Sequence, residues 1–405
     1  MSLIERAKAM QPSLVEMRRD LHRHPELGFE EKRTARIAAD AVEALGFRVR
    51  RGVGITGVVA DLGNEPGPTI ALRADMDALP IHEDTGAEYA SHTPGVMHAC
   101  GHDAHTTGLV GAARLLAEEH ARGRLPPGTI RLIFQPSEEC TDDTGKSGAM
   151  RMIAEGAMEG VDAVVGLHVS PARPAGRIFL RSGAFMAGAE ELRVTVHGKS
   201  SHAARPHLGI DALQVAARGL VAVKAAVEDT LASSEAGVVS FGTLKGGTAG
   251  NIIADRAALK GTLRYFDQDV RERLGSAVRE AFEPPAASGA KVSIDIGPGY
   301  PPLLNDEVMT GCVSEALRRL LGEDAVRECE PEMTAEDFAY LAQEAPGVFF
   351  WLGASLSDAR ELHHPRFDID ESVLPVGAAA LAHSAISLLR KLAAGEVEQF
   401  LDTET

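Results

Sequence analysis

Apolar residues recur at helical spacing near the start of the chain: Leu14, Met17 and Leu21 share one face within residues 13–22, and Ile37, Ala41 and Leu45 share another within 33–45, before Gly46. Spacings of three and four put these side chains on one stripe, which predicts two amphipathic helices. Short β-rich runs then alternate with helical stretches: 58–62, 69–74, a helix near 106–119, 130–134 and 163–167. That alternation predicts an α/β domain built on a mixed or parallel sheet.

From Gly183 the pattern changes to strand 191–196, helix 212–227, strand 238–244, strand 257–265, helix 270–282 and strand 291–296. The order β-α-β-β-α-β is that of a ferredoxin-like split βαβ domain. Gly183 and Gly188 precede it and Gly297-Pro298-Gly299 follow, which places an inserted domain at 183–297 between two parts of the first domain, 1–182 and 298–405. A helix at 308–321, a strand at 348–352 and a helix at 376–389 resume the first style.

With 405 residues the chain is long enough for two well-buried domains, and 44% apolar with 24% charged residues is ordinary for a folded chain. The net charge of −17 argues against a general nucleic-acid or anionic-membrane surface, so an anionic substrate needs a local Arg or Lys. Four scattered cysteines do not make a disulfide framework and fit a reducing compartment. The amino terminus, MSLIERAKAM, has charges where an export signal needs an unbroken apolar run, so a cytoplasmic location is expected. The weakly polar run 376–389 is shorter than the roughly 20 residues of a membrane span.

Seven of the fifteen histidines fall between His82 and His168. The densest stretch is His98-Ala-Cys100-Gly-His102-Asp103-Ala-His105. On extended backbone a thiolate and an imidazole two residues apart point the same way, and Gly101 lets the chain bend around an ion, so Cys100 and His102 are metal-ligand candidates. A buried Cys beside a helix-capping Asp103 is the plainer alternative. His98 and His105 read as packing or supporting groups.

Asp75 and Asp77 end a strand, and a carboxylate that orients a ligating imidazole is the role expected of Asp77. Glu138 and Glu139 end another. Neighbouring side chains diverge on extended backbone, which suits one to ligation and the other to general-base work. His168 and the pair His363-His364 follow further strands, and metal-type residues at successive strand ends mark the position where open α/β sheets hold ligands. In the inserted segment, His202, Asn251 and Arg264 offer an imidazole, an amide and a guanidinium to a substrate. The glycine-rich stretch at 246–250 has neither the dinucleotide nor the P-loop spacing.

Taken together these segments resemble the metal-dependent aminoacylase and carboxypeptidase family, in the branch of hippurate hydrolase and plant auxin-conjugate (IAA-amino acid) amidohydrolases. The resemblance rests on Leu21-His-Arg-His-Pro-Glu-Leu27, Arg73-Ala-Asp-Met-Asp-Ala-Leu79, Met97-His-Ala-Cys-Gly-His-Asp-Ala-His-Thr106, Phe134-Gln-Pro-Ser-Glu-Glu139, Gly166-Leu-His168, Ser201-His-Ala-Ala203, Asn251-Ile-Ile253, Gly261-Thr-Leu-Arg264 and His363-His-Pro365. It runs nearly end to end. One departure is Cys140-Thr-Asp-Asp-Thr-Gly-Lys146, which stands where relatives often continue with a glycine-rich turn.

The resemblance implies a two-domain, mixed-sheet metallopeptidase-type catalytic domain whose insert serves as lid and dimerisation domain. It implies two divalent metal ions per subunit, with Cys100 bridging and His102, Glu139, His168 and His363 as the other ligands. Glu138 then matches the general base, His202 the residue that polarises the scissile carbonyl, and Asn251 and Arg264 the substrate-binding positions. Zinc or manganese suits such mixed ligation, and cobalt or nickel is compatible with it. The expected activity is hydrolysis of an N-acyl amino acid or a similar small carboxylate-bearing amide, by a homodimer or higher homo-oligomer joined through 183–297. Three rivals stand beside it: a dipeptidase or carboxypeptidase with the same site, an amidase using Cys100 as nucleophile, and a non-catalytic metal-binding protein.

Overall fold

Ser2 starts the first helix with a reciprocal cap, its hydroxyl accepting the Glu5 amide while the Glu5 carboxylate takes the Ser2 amide. In this computed structural model, which describes residues 1–63, 66–284, 288–358 and 360–396, the elements follow as α1 (Leu3–Ala9), α2 (Gln11–Arg23), α3 (Lys32–Glu43), β1 (Arg48–Val53), β2 (Gly57–Leu62), β3 (Thr69–Asp75), α4 (His102–Ala121), β4 (Thr129–Gln135), α5 (Gly148–Ala154), β5 (Ala163–Ser170), β6 (Ile178–Leu180) and β7 (Gly183–Met186). Next come β8 (Gly188–His197), β9 (Ser201–His202), α6 (Ala212–Thr230), β10 (Gly237–Gly246), β11 (Ile252–Ile253), β12 (Arg256–Tyr265), α7 (Gln268–Ala281) and β13 (Lys291–Tyr300). The chain closes with β14 (Leu303–Asn305), α8 (Glu307–Leu321), β15 (Val326–Glu328), α9 (Phe338–Glu344), β16 (Gly347–Gly353) and α10 (Leu374–Ala393).

These elements form two compact units. The first, Met1–Phe185 with Leu304–Glu330 and the chain from Asp337 onward, carries an eight-stranded mixed sheet in the order β1-β2-β4-β3-β5-β16-β6-β15. β3 runs parallel to β4 and β5, and β16 parallel to β5. Their residues are buried almost without interruption, as expected of strands covered on both faces. Two apolar helices, α4 and α10, lie against each other in the core. A side chain at Gly111 would press on Ala378, so glycine there permits their close approach. α10 extends the expected 376–389 helix and is apolar enough in composition to cross a membrane, yet its residues are buried within the protein as those of a core helix are.

The second unit, Met186–Leu303 with Pro331–Glu336, holds a four-stranded antiparallel sheet in the order β10-β12-β8-β13. Helices α6 and α7 join its strands in β-α-β-β-α-β succession, the ferredoxin-like arrangement. Leu192, Val194, Val196, Leu259, Leu263, Leu274 and Phe282 are among its core residues. The unit extends past residue 297 because Gly297-Pro298-Gly299 lies inside β13, at a register shift between Ile296 and Gly299, rather than after it.

Candidate metal centre

The first unit concentrates its histidines, acids and Cys100 around the carboxyl ends of β3, β4 and β5. β3 ends at Asp75, and buried Arg73 ties that end together, with Nη1 to Asp75 Oδ2 at 2.6 Å, Nη2 to Asp337 Oδ1 at 2.9 Å and Nε to Gln135 Oε1 at 2.9 Å. Three sequence-distant segments are thereby fixed before any ligand is considered.

Gly101, at φ 92°, turns the chain from Cys100 into α4. His102 is accordingly the first residue of a helix, and not part of an extended segment as its spacing from Cys100 suggests. One turn is enough to bring His102 to Asp77 and His105 to Asp75. His102 Nδ1 lies 3.1 Å from Asp77 Oδ1, and His105 Nδ1 lies 2.6 Å from Asp75 Oδ1. The Val169 amide donates to His105 Nε2 at 2.9 Å, so His105 carries its proton on Nδ1 and is occupied at both nitrogens. His105 is thus a supporting group. His102 Nε2, in contrast, is buried with no hydrogen-bond partner.

His168 lies within β5, two residues before its end, and its Nδ1 faces the Val169 carbonyl at 2.7 Å. The Nε2 lone pair is thereby directed at Cys100 Sγ, 3.3 Å away. His363 Nε2 is also 3.3 Å from that sulfur and 2.9 Å from Glu139 Oε1. Its backbone is left-handed, φ 61°, and is anchored by its amide to the Ala99 carbonyl at 2.8 Å. His364 points elsewhere, accepting the Arg366 amide. Of the adjacent histidines, His363 is the one that reaches the cluster.

Glu138 and Glu139 follow β4, and their carboxylates do not diverge as neighbours on extended backbone would: an oxygen of each lies within 4.8 Å of the other and of a His102 ring nitrogen, the run being broken by left-handed backbone at Ser137. The Glu139 amide donates to Asp77 Oδ2 at 3.0 Å, and Glu138 Oε1 receives the Asp337 amide at 3.4 Å. Three overlapping triads result: Cys100 with His102 and His168, Cys100 with Glu139 and His363, and His102 with Glu138 and Glu139. Within each, the donor atoms lie no more than 4.8 Å apart.

Electrostatics fit the same picture. Burial alone would depress His102, but Asp75 and then Asp77 outweigh it and push its imidazole up to about 10. Burial, followed by His105, holds His168 well below the usual histidine range. Burial and then Glu139 and Glu138 drive the Cys100 thiol well up. Asp77 is held down against its burial by His102. The cluster is a buried excess of carboxylate and soft sulfur lone pairs, and it favours positive charge at its centre.

The donor set therefore fits divalent metal. Thiolate, imidazole and carboxylate converge, and one donor atom, His102 Nε2, is buried without a hydrogen-bond partner. Asp77 behind His102 supplies the outer contact that such ligands need.

In the second unit, β9 holds His202 and pairs with β11 at Ile252. His202 is exposed, and its Nδ1 accepts the Ala204 amide at 3.0 Å, which leaves the proton on Nε2. Asn251 offers its carbonyl to the Ala203 amide. Arg264 is half-buried in β12 and donates Nη1 to the Met333 carbonyl at 2.6 Å. Arg73, Gln135 and Asp337 escaped the sequence reading, because a buried pair 264 residues apart has no local signature.

The sequence profile of peptidase family M20/M25/M40 matches residues 71–387. The chain belongs to this family. Among its M20 relatives, N-acetyl-L-cysteine deacetylase of Bacillus subtilis is 38% identical over 384 residues, covering 94% of this chain and 89% of the relative. IAA-amino acid hydrolase ILR1-like 2 of Arabidopsis thaliana is 38% identical over 395 residues, covering 96% and 88%. The solved structure of Bacillus subtilis YXEP, a dinuclear metal binding peptidase from the M20 family, superposes with a TM-score of 0.79 at 34% identity, covering 95% of this chain and 99% of YXEP. The protein is an M20 metal-dependent hydrolase, and dinuclear metal binding is typical of the family.

Proposed function

We propose that this hydrolase cleaves the amide bond of N-acyl amino acids or similar small amides bearing a carboxylate. The observation that carries the reading is the Glu138–Glu139 pair: one carboxylate joins the Cys100 and His363 donors while its neighbour sits at the edge of the same cluster. A purely structural metal site needs no second acid of this kind. The deacetylase and IAA-amino acid hydrolase relatives support the substrate class.

Cys100, His102, Glu139, His168 and His363 would hold the two metal ions, zinc or manganese, which when bound polarise a carbonyl and acidify water. Glu138 accepts a proton from the attacking water and returns it to the departing amine. His202 presents Nε2–H to the oxygen on which negative charge develops. Arg264 and Asn251 hold the substrate carboxylate, and the carbonyl contact of Arg264 restricts its guanidinium.

The reading includes a homodimer joined through the second unit. β10 is an edge strand, and Val221, Leu244 and Ile252 of that unit are exposed apolar residues, features that favour pairing with a second copy. A cytoplasmic, reducing setting would keep Cys100 reduced and available to a metal ion. Turnover of a panel of acyl amino acids and dipeptides by metal-reconstituted enzyme tests the substrate class. Preference for dipeptides would reassign it, and sedimentation at graded concentration tests the dimer.

A further inference from the structure

Among the described residues, four that are not glycine have left-handed backbone: Phe29 at φ 62°, Ile55 at 83°, Ser137 at 44° and His363 at 61°. The first three meet at one side chain. Glu31 is fully buried; its Oε1 accepts the Phe29 amide at 2.9 Å and the Ser137 amide at 2.8 Å, and its Oε2 accepts Thr56 Oγ1 at 2.5 Å. Thr56 is the residue after Ile55. Three separate turns that side chains ordinarily disfavour are thus held by a single carboxylate.

One of these turns launches the catalytic pair. Ser137 is the residue before Glu138, and its amide points into Glu31 while the Glu139 amide points into Asp77. Alternate amides of the turn are therefore gripped by two buried acids, and this grip fixes the backbone from which the Glu138 and Glu139 carboxylates reach the same cluster, within 4.8 Å of each other. The Ser137 hydroxyl adds a bond to the Cys140 carbonyl at 3.0 Å, and Gly28 makes room for it, since a Cβ there would stand 2.5 Å from Ser137 Oγ. Burial, and then Asp77, lift the Glu31 carboxyl to about 7, against the hydrogen bonds it accepts.

We propose that Glu31 is a positioning residue for the reaction: through the Ser137 amide it sets the angle between general base and metal-ligating carboxylate. The inference rests on the functional reading of Glu138 and Glu139 given above. Glu31 touches neither substrate nor metal ligands, and it acts only through the backbone it holds.

The test compares Glu31→Ala, Glu31→Gln and Thr56→Val in the full-length, metal-loaded protein. Glu31→Gln keeps a carbonyl oxygen for the two amides and places its NH₂ against Thr56 Oγ1, so kcat should stay within about threefold of wild type. Glu31→Ala should lower kcat ~10-fold or more with KM changed less than about twofold, because misplaced reacting groups, rather than lost substrate contacts, slow the chemistry. Metal bound per subunit after dialysis, measured by elemental analysis, should fall in Glu31→Ala and not in Glu31→Gln. Ser137→Gly, which eases the left-handed turn, should show a different effect in the Glu31→Ala background than alone. Should Glu31→Ala fail to fold, Glu31→Gln near wild type together with a lowered kcat in Thr56→Val supports the proposal, and unchanged Thr56→Val overturns it. A lower melting temperature with unchanged kcat and metal content marks Glu31 as merely structural and overturns it, as does equal damage in Gln and Ala variants. If the wild type hydrolyses no acyl amino acid, the functional reading fails while the metal-occupancy comparison still decides the role of Glu31.

Discussion

Asp77 Oδ1 lies 3.1 Å from His102 Nδ1, with both side chains fully buried. The second oxygen of the same carboxylate takes the Glu139 amide, so one residue orients two metal-type donors from elements 37 residues apart in sequence. An amide cannot do both. In Asp77→Asn, either His102 or the Glu139 amide faces an NH₂ donor, and metal affinity should fall by about 10–100-fold. Competition with a chromogenic chelator measures this; unchanged affinity would show that the contacts to Asp77 do not tune the site.

Glu138→Gln should retain its metal and lose kcat by about 100-fold or more, as expected when a general base is removed. Glu139→Gln should lose metal first, because its carboxylate belongs to the Cys100–His363 triad. Elemental analysis beside steady-state kinetics separates the two, and exchanged behaviour would reverse the assignment of base and ligand.

Dialysis against a chelator should abolish hydrolysis, with recovery on adding zinc or manganese, since the nucleophilic water depends on the metal. A cysteine nucleophile at Cys100 would survive that treatment. Its thiol is pushed well up by burial and the two glutamates, which already disfavours a reactive thiolate in the absence of cation. Full activity in a metal-free sample would return the cysteine reading.

The sheet, the core helices and the β-α-β-β-α-β succession were legible because period-two and helical patterns report burial on a local scale. Cys100, His102, Glu139, His168 and His363 stood out as metal-type residues near strand ends, although spacing alone misplaced His102 on extended backbone when Gly101 turns it into α4. Arg73, Asp337 and Glu31 were not legible. Each is an ordinary charged residue whose role depends on burial and on partners from distant segments, as with Arg73 and Asp337 or Glu31 and Ser137. Short elements such as β6, β15 and α9 also left no periodic trace, being too brief for a pattern to repeat.

Gly101→Ala probes the turn between two donors. A Cβ there collides with Val169 Cγ2, and the backbone at φ 92° is one that side chains resist. The left-handed cost of about 1–2 kcal/mol and an overpacking cost of about 1–3 kcal/mol should both appear. A clear drop in melting temperature of the metal-stripped protein checks this, and an unchanged value would mean that the turn relaxes without cost.

Acid stability should depend on a second buried cluster. Arg18 Nε binds Asp103 Oδ2 at 2.8 Å, His22 Nδ1 meets the same oxygen at 2.7 Å, and Arg18 also reaches Asp368 at 3.1 Å and Glu371 at 3.3 Å. Burial would raise Asp103, but Arg18 and then His22 hold it well below the usual carboxylate range. The unfolded chain therefore binds this proton first, so the stabilisation is complete above about pH 4 and is lost as pH falls from there toward the folded value. His22 works in the opposite sense. Burial and Arg18 lower it, Asp103 and Glu83 more than compensate, and its net upward shift contributes stability that fades as pH rises through the folded value. Arg18→Met leaves Asp103 buried with less compensation, and should cost about 3–5 kcal/mol at neutral pH. It should also flatten the loss of stability in acid, since Asp103 then takes its proton nearer the unfolded value and its protonation no longer favours the unfolded chain. Denaturant titrations at pH 7 and about pH 3, below the unfolded carboxylate value, measure both effects, and an Arg18→Met protein with the wild-type pH dependence would show that Asp103 is held down by something other than this guanidinium.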